Sequence, residues 1–293
     1  MSENAENCAA IQPAAPQPVK AKRASIWRRS PSLLIGTIIV VLTCIVAAFP
    51  SLFTSASPTD LNFGAMHLAP SLEHPFGTDN LGMDIFARTV YATQLDLLIG
   101  VGSAGLPFVL GSLLGLVCGY YGGKLDAIVM RVLDVFVAFP FMVLAIAIVA
   151  ILGNGIANLL IAMWLVSWPP YTRLVRAEVL IAKNFEYAQA ARTLGYSDMT
   201  IMFRHLLPNV ISSSVVYFAS DIVMCITTAA SLSYLGLGVP PQTAEWGSII
   251  AGGKSFITTD WWITVCPGLF MVFVGLGFSL FGDGLNDLLR TKD

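Results

Sequence analysis

Long uncharged apolar runs separated by short polar stretches set the plan of this chain. Residues 33–53 form the first run, long enough to cross a hydrocarbon core of about 30 Å and too long for the apolar region of a signal peptide. An uncleaved first span is therefore expected. Later runs predict spans at residues 97–121, 126–152, 156–171, 210–237 and 264–281, six helices in all. Gly122-Gly123-Lys124 and Gly153-Asn154-Gly155 supply turns. Pro140 should kink the third span, and the fourth should end in an aromatic belt at Trp164, Trp168, Pro169, Pro170 and Tyr171.

Composition places the chain in a class. Its 293 residues are 56% hydrophobic and only 12% charged, which excludes a soluble domain of this length and predicts an all-α polytopic membrane protein. The net charge of -2 says little, but the placement of cations decides the orientation. Of the 16 Lys and Arg, the six-span reading leaves only Arg88 and Lys254 outside. Miscounting by one span would put Arg173 to Arg204 outside and erase that asymmetry, so both termini are expected in the cytoplasm. Residues 1–32 read as a disordered cytoplasmic tail carrying the basic cluster Lys20, Lys22, Arg23, Arg28 and Arg29, and residues 33–293 as one transmembrane domain whose tail carries Arg290 and Lys292. Cys8, Cys44, Cys118, Cys225 and Cys266 have neither metal nor redox spacing.

Between the apolar runs lie three polar features. Residues 184–208 are charged and amphipathic: Asn184 is a candidate N-cap, Glu186 sits in a first turn, and Gly195 should end that helix in the left-handed C′ position. Ser197 should cap a second helix, with Asp198 at its positive end and Pro208 at its limit, while Ala188, Ala190 and Ala191 offer a low-relief face for a docking protein. Residues 54–96 hold Asp60, Glu73, Asp79, Asp84 and Asp96 against Arg88 alone, an external turn-rich loop with solvated acids and a short helix near residues 85–91. Asp221 lies near the centre of a span, where an acid costs about 2.5 to 3.5 kcal/mol on insertion scales. It either lines a pathway or is held by Ser or Thr of a neighbouring span.

Two smaller readings concern packing. Gly111, Gly115 and Gly119 share one helix face suited to close helix packing, and Arg131 and Asp134 stand at i, i+3 in the third span as a structural pair. Residues 247–255, GSIIAGGKS, miss the P-loop pattern because Ser248, not Gly, stands with four residues between it and the Gly-Lys-Ser. His67, His74 and His205 do not cluster, so no catalytic residue and no metal site is assigned.

Residues 184–208 also resemble the loop through which bacterial ABC import permeases engage their ATPases. Gln189, Ala190, Ala191, Gly195, His205, Leu207 and Pro208 fall in its register, with Gln189 in place of an acid and His205 in place of Ile. Gly77-Thr78-Asp79, Gly82 and Asp84, with Met83 where Arg is usual, are similar to a segment of the oligopeptide, dipeptide and nickel group. So are Pro240-Pro241, Glu245-Trp246-Gly247, Gly282-Asp283-Gly284-Leu285 and Asp287, which point to its second, C-type permease. The resemblance spans residues 33–287 and implies a type I ABC importer permease in the bacterial inner membrane. It further implies half of a pore for di- or oligopeptides, or alternatively nickel or a metal chelate. The implied partners are a related permease, two ATPase subunits on the cytoplasmic side and an external solute-binding protein. No cofactor is expected on this chain, ATP and magnesium belonging to the ATPases. From the residues alone, the rival reading is a secondary transporter with Asp221 as its coupling acid.

Overall fold

The computed structural model describes residues 31–290, so the N-terminal basic cluster, Cys8 and Lys292 lie outside it. Nine helices of eight residues or more carry the described part: α1 (Pro31–Ala48), α2 (Ile85–Tyr121), α3 (Gly123–Ala138), α4 (Phe141–Leu152) and α5 (Ile156–Ala182) come first. α6 (Glu186–Thr193), α7 (Leu207–Tyr234), α8 (Trp246–Gly253) and α9 (Trp262–Arg290) follow. Four continuous helical stretches are long and apolar enough to cross a membrane: α1, α2, Asp198–Tyr234 and Trp262–Leu289. α3 and α4 together make a fifth, bent by 88°. The bend falls at Phe139-Pro140, where proline cannot continue the hydrogen-bond ladder of the helix before it.

α2 is the axis of the molecule. Its 37 residues reach about 55 Å at 1.5 Å per residue, well beyond the hydrocarbon thickness. It starts at Ile85 rather than near residue 97, so the short helix expected at residues 85–91 is its first two turns. Asp84 caps it, its Oδ1 accepting from the Ala87 N–H at 2.7 Å. The polar residues that made this stretch look like loop are turned inward, as described below.

α5 also runs further than its pattern suggested, continuing through Pro169 and Pro170 to Ala182. Prolines are tolerated in a membrane helix when its packing against neighbouring helices holds it together. Just after the pair, Thr172 Oγ1 lies 3.3 Å from the Trp168 carbonyl and 3.1 Å from that of Gly111 on α2. The Trp164 indole likewise donates to Gly102 O at 2.8 Å, tying α5 to α2 instead of ending it.

The two long helices meet along Gly111, Gly115 and Gly119. A Cβ at Gly115 would stand 2.6 Å from Thr172 O and 3.0 Å from Arg176 N, so only glycine lets the backbones approach this closely. α1 crosses α9 on small residues as well, Gly284 facing Leu33 and Gly277 facing Ile39. Two apolar cores result. One gathers Ile99, Met163, Leu232, Trp246 and Val274 at and below the α8 end; the other gathers Leu116, Val179, Ala191, Met202 and Leu206 at the opposite end.

The expected Arg131–Asp134 pair does not form. Asp134 instead accepts from Arg173 at 2.9 Å, and Asp126 holds Arg176 through both carboxylate oxygens at 2.5 and 2.6 Å. Cross-helix pairing ties α3 to α5, which a pair within one helix could not do.

Candidate functional site

The segment between α5 and α7 is built as two helical arms around one glycine. The first arm, α6, ends with Tyr196 N–H on Ala191 O at 3.2 Å and Gly195 N–H on Arg192 O at 3.1 Å, the paired bonds of a Schellman turn. Gly195 sits at φ +78°, and no atom lies within 4 Å of where its Cβ would be. The constraint there is conformational, not steric. Asn184 does not cap α6: Phe185 occupies the N-cap, the Asn184 amide donates to Leu180 O, and Asn184 O accepts from the Gln189 amide at 3.0 Å. The Asn184 side chain thus points back along α5, away from the helix it was expected to start.

The second arm begins as expected, with Ser197 Oγ accepting from Thr200 N–H at 3.4 Å and Asp198 in the first turn. It does not end at Pro208. A helical turn at Asp198–Thr200 passes into a π-helical segment, Ile201–Leu206, which runs into α7 without a break. Leu207 N–H reaches back five residues to Met202 O. Pro208 has no N–H for Arg204 O and its ring crowds that carbonyl; the wider π turn accommodates both. The arm and the span are therefore one continuous rod.

Burial sorts the loop into an inner and an outer face. Ala188 and Ala191 are buried against the protein's own helices, in the core with Val179 and Leu206. Of the three alanines read as a docking surface, only Ala190 is exposed, beside Glu186 and Gln189. The outer face is apolar: Leu194 is 74% exposed, Met199 58%, Tyr196 50% and Phe203 40%. His205 stacks against Tyr196 with ring centroids 5.6 Å apart, Leu207 is half-buried and Pro208 is exposed.

Behind the loop stands Tyr120, in the last turn of α2. Its hydroxyl donates to Asp198 Oδ1 at 2.6 Å, and the Arg192 guanidinium lies 5.4 Å from its ring centroid. Lys183 Nζ donates to Gly119 O at 2.7 Å from the end of α5. These contacts join residues more than 60 positions apart. No local pattern announces them.

At the opposite end of α2, Asp60 and Glu73 are exposed as expected, but Asp79, Asp84 and Asp96 are buried. Arg88 is 4% exposed, with Nη1 3.1 Å from Asp79 Oδ2 and Nη2 3.2 Å from Pro241 O. Asp79 also accepts from the Leu81 and Met83 N–H groups, and His74 Nδ1 lies 2.7 Å from Asp84 Oδ2. The segment read as an external loop with Pro240-Pro241 and Glu245-Trp246-Gly247 contains α8, whose Trp246 is fully buried. Trp246 N–H donates to Asp96 Oδ2 at 3.1 Å, and the Glu245 carboxylate caps α8 through the Gly247 and Ser248 N–H groups. Burial pushes the Glu245 carboxyl above its usual range.

Asp221 lies in the middle of α7 and is buried, with Oδ2 accepting from the Tyr171 hydroxyl of α5 at 2.7 Å. Its partner is a tyrosine, not the Ser or Thr expected. Among the described residues no group of three or more His, Cys, Asp or Glu could hold a metal ion.

Comparison with known proteins places this α-helical chain in a family. Residues 111–292 match the family described as binding-protein-dependent transport system inner membrane component. The chain belongs to that family. It is 39% identical over 270 residues to the glutathione transport system permease protein GsiD of Pectobacterium atrosepticum, covering 91% of this chain and 90% of that one. It is 35% identical over 269 residues to the probable D,D-dipeptide transport system permease protein DdpC of Escherichia coli K12, covering 91% and 90%. It is 39% identical over 259 residues to the dipeptide transport system permease protein DppC of Alkalihalophilus pseudofirmus, covering 88% and 85%. The protein is thus an inner-membrane permease of an ABC importer of the peptide group, and its family is the non-enzymatic membrane component of such systems.

Proposed function

We propose that this chain is the C-type permease of a di- or oligopeptide importer, forming half of the translocation pathway, and that residues 184–208 are the element through which its ATPases drive it. The observation that carries the reading is the two-faced loop: an inner face of Ala188, Ala191 and Leu206 seated on the spans, and an outer apolar face of Leu194, Tyr196, Met199 and Phe203 left uncovered. An apolar patch of this kind, rimmed by Glu186, Arg192 and Arg204, fits a groove on a partner protein. Because the second arm continues into α7, a push on the loop reaches the span directly.

The partners follow from the family: a homologous permease, two ATPase subunits holding ATP and magnesium, and a solute-binding protein on the far side. In this reading α5 completes six spans with both termini in the cytoplasm. Lys124, Arg173, Arg176, Lys183, Arg192 and Arg204 then share the inner end with the loop, and Arg88 and Lys254 the outer. The relatives' names speak of glutathione and dipeptides, which favours short peptides over nickel or a metal chelate. Asp221, held by Tyr171, serves as a joint between α5 and α7.

The test is Gly195→Val in the complete transporter. Its cost in the left-handed region, about 1 to 2 kcal/mol, would be relieved by re-aiming the second arm. Insertion and permease pairing should be normal, while ATPase co-purification or substrate-stimulated ATP hydrolysis is lost. Gly195→Asn, which tolerates positive φ, should retain both. Full retention in the Val variant would remove the loop from the coupling path.

A further inference from the structure

The loop touches the rest of the protein in three different ways. Its ends are covalent continuations of α5 and α7, which any two-armed loop must have, and its inner face packs in the apolar core with Val179 of α5 and Leu116 of α2. Its polar tie is to α2, and there the side-chain contacts converge on Tyr120. That residue reaches both arms at once. The guanidinium over its ring comes from Arg192 in the last turn of the first arm, and the carboxylate on its hydroxyl comes from Asp198 in the first turn of the second arm. The two arms are thereby bridged across the Gly195 turn by a side chain that belongs to neither. Tyr120 itself is 6% exposed, whereas Arg192 and Asp198 lie at the surface, so the buried ring is the fixed member of both contacts.

α2 is well suited to receive such a tie. Lys183 caps the same turn through Gly119 O, and Gly111, Gly115 and Gly119 lock the helix to α5 at backbone contact. At its other end it is fixed to the Pro241 carbonyl through Arg88 and to the start of α8 through Asp96. α2 continues as one helix through Pro107, so a displacement of its loop end has an unbroken path to the opposite end.

We propose that Tyr120 is the positioning residue that makes the coupling loop and α2 move as one body, so that ATP-driven motion reaches the α8 end along α2 as well as along α7. The proposal rests on residues 184–208 being the coupling element. Without the Tyr120–Asp198 bond the loop still has its outer face, and the ATPases still dock. What is lost is the fixed angle between the docked loop and the helix behind it.

The experiment uses the complete transporter in lipid with its ATPases, partner permease and binding protein. Tyr120→Phe keeps the ring, the burial and the Arg192 contact and removes only the hydroxyl. It should assemble fully and keep basal ATP hydrolysis, while stimulation by loaded binding protein falls roughly tenfold, the scale of a lost charge-assisted bond. Asp198→Asn retains an acceptor oxygen without the charge and should fall between the parent and Tyr120→Phe, whereas Asp198→Leu should behave like Tyr120→Phe. Spin labels at Tyr121 and Met199, both exposed, in a background lacking the native cysteines, supply a readout independent of ATP turnover. Their distance should be constant through the nucleotide cycle when Tyr120 is present and become variable in the Tyr120→Phe variant. A uniform loss of assembly across all three variants would make Tyr120 merely structural and overturn the proposal. Normal stimulation with an unchanged label distance in Tyr120→Phe would overturn it as well. Should Gly195→Val also prove harmless, the coupling reading itself fails; should it uncouple while Tyr120→Phe does not, only the role of Tyr120 fails.

Discussion

At one end of α2 the polar residues lie on a surface. At the other they are folded inside, and sequence alone treats the two ends alike. Residues 184–208 and residues 77–96 both look like hydrophilic punctuation between apolar runs. In the first, Gly195, Ser197 and Asp198 do what their local chemistry dictates, because turn and cap geometry is decided within a few residues. In the second, Arg88 and Asp96 find partners at Pro241 and Trp246, some 150 positions away, and Asp79 is held by Arg88. Charge density marks exposure only where charges have no distant partner, and here it marked a buried network instead.

The sharpest way to break this comparison is to remove the cation from the buried end. Arg88→Leu leaves Asp79 buried without its partner, and breaking such a pair costs about 3 to 5 kcal/mol. The unfolding midpoint of the purified permease should fall accordingly, and Arg88→Leu with Asp79→Asn should recover part of the loss. Additive losses in the double variant would show that the two are not coupled. A charge reversal on the loop's outer face, at Glu186, should by contrast leave the midpoint nearly unmoved.

A smaller effect is expected where α2 meets α5 between the two ends. Gly115→Leu places a side chain into the space held by Thr172 O and Arg176 N, 2.6 and 3.0 Å from the Cβ position. Overpacking of this kind costs about 1 to 3 kcal/mol and should lower complex yield and transport together. Gly195 differs from Gly115 in that nothing lies within 4 Å of its Cβ position. A larger residue at Gly195 should leave yield intact and change coupling alone; equal yields for both variants would deny the distinction.

Legibility follows the range over which each feature is decided. The apolar runs gave the all-helical membrane class and the bend at Pro140, since both depend on residues within a span. The glycine stripe at Gly111, Gly115 and Gly119 was readable from its fourfold spacing. The ends of α2, α5 and the second arm are hidden in the sequence because polar residues and prolines, ordinarily terminators, are accommodated within them. The bonds of Thr172 and Trp164 to α2 hold α5 past its prolines and the π turn at Ile201–Leu206 accommodates Pro208, and neither has a signature in the sequence. α8 escaped notice for a related reason: its eight residues are too few for a helical period to stand out. Tyr120 was hidden as one more aromatic at the end of a span, its role set by Arg192 and Asp198 after folding.

The smallest effect tests whether the buried end really withholds its acids from water. Glu245 is fully buried at the start of α8, with Oε1 on the Gly247 N–H at 3.0 Å and Oε2 on the Ser248 N–H at 2.7 Å. Burial raises its carboxyl above the ordinary 4.5, so the folded protein holds the proton to higher pH than the unfolded chain does. Stability from this group is then complete below about pH 4.5 and declines as pH rises through the folded value. Glu245→Gln cannot ionise and removes its share of that slope, the remainder belonging to Asp96, whose carboxyl interacts with it. It also loses one of the two oxygens, hence about 1 kcal/mol of capping. At about pH 4 the variant should therefore be slightly less stable than the parent, and the gap should narrow or reverse by about pH 8. Unfolding midpoints at both values decide the matter: a gap that stays constant or widens with pH means that Glu245 is ionised in the fold. Glu245 would then be a buried carboxylate whose charge is met by the Gly247 and Ser248 N–H groups.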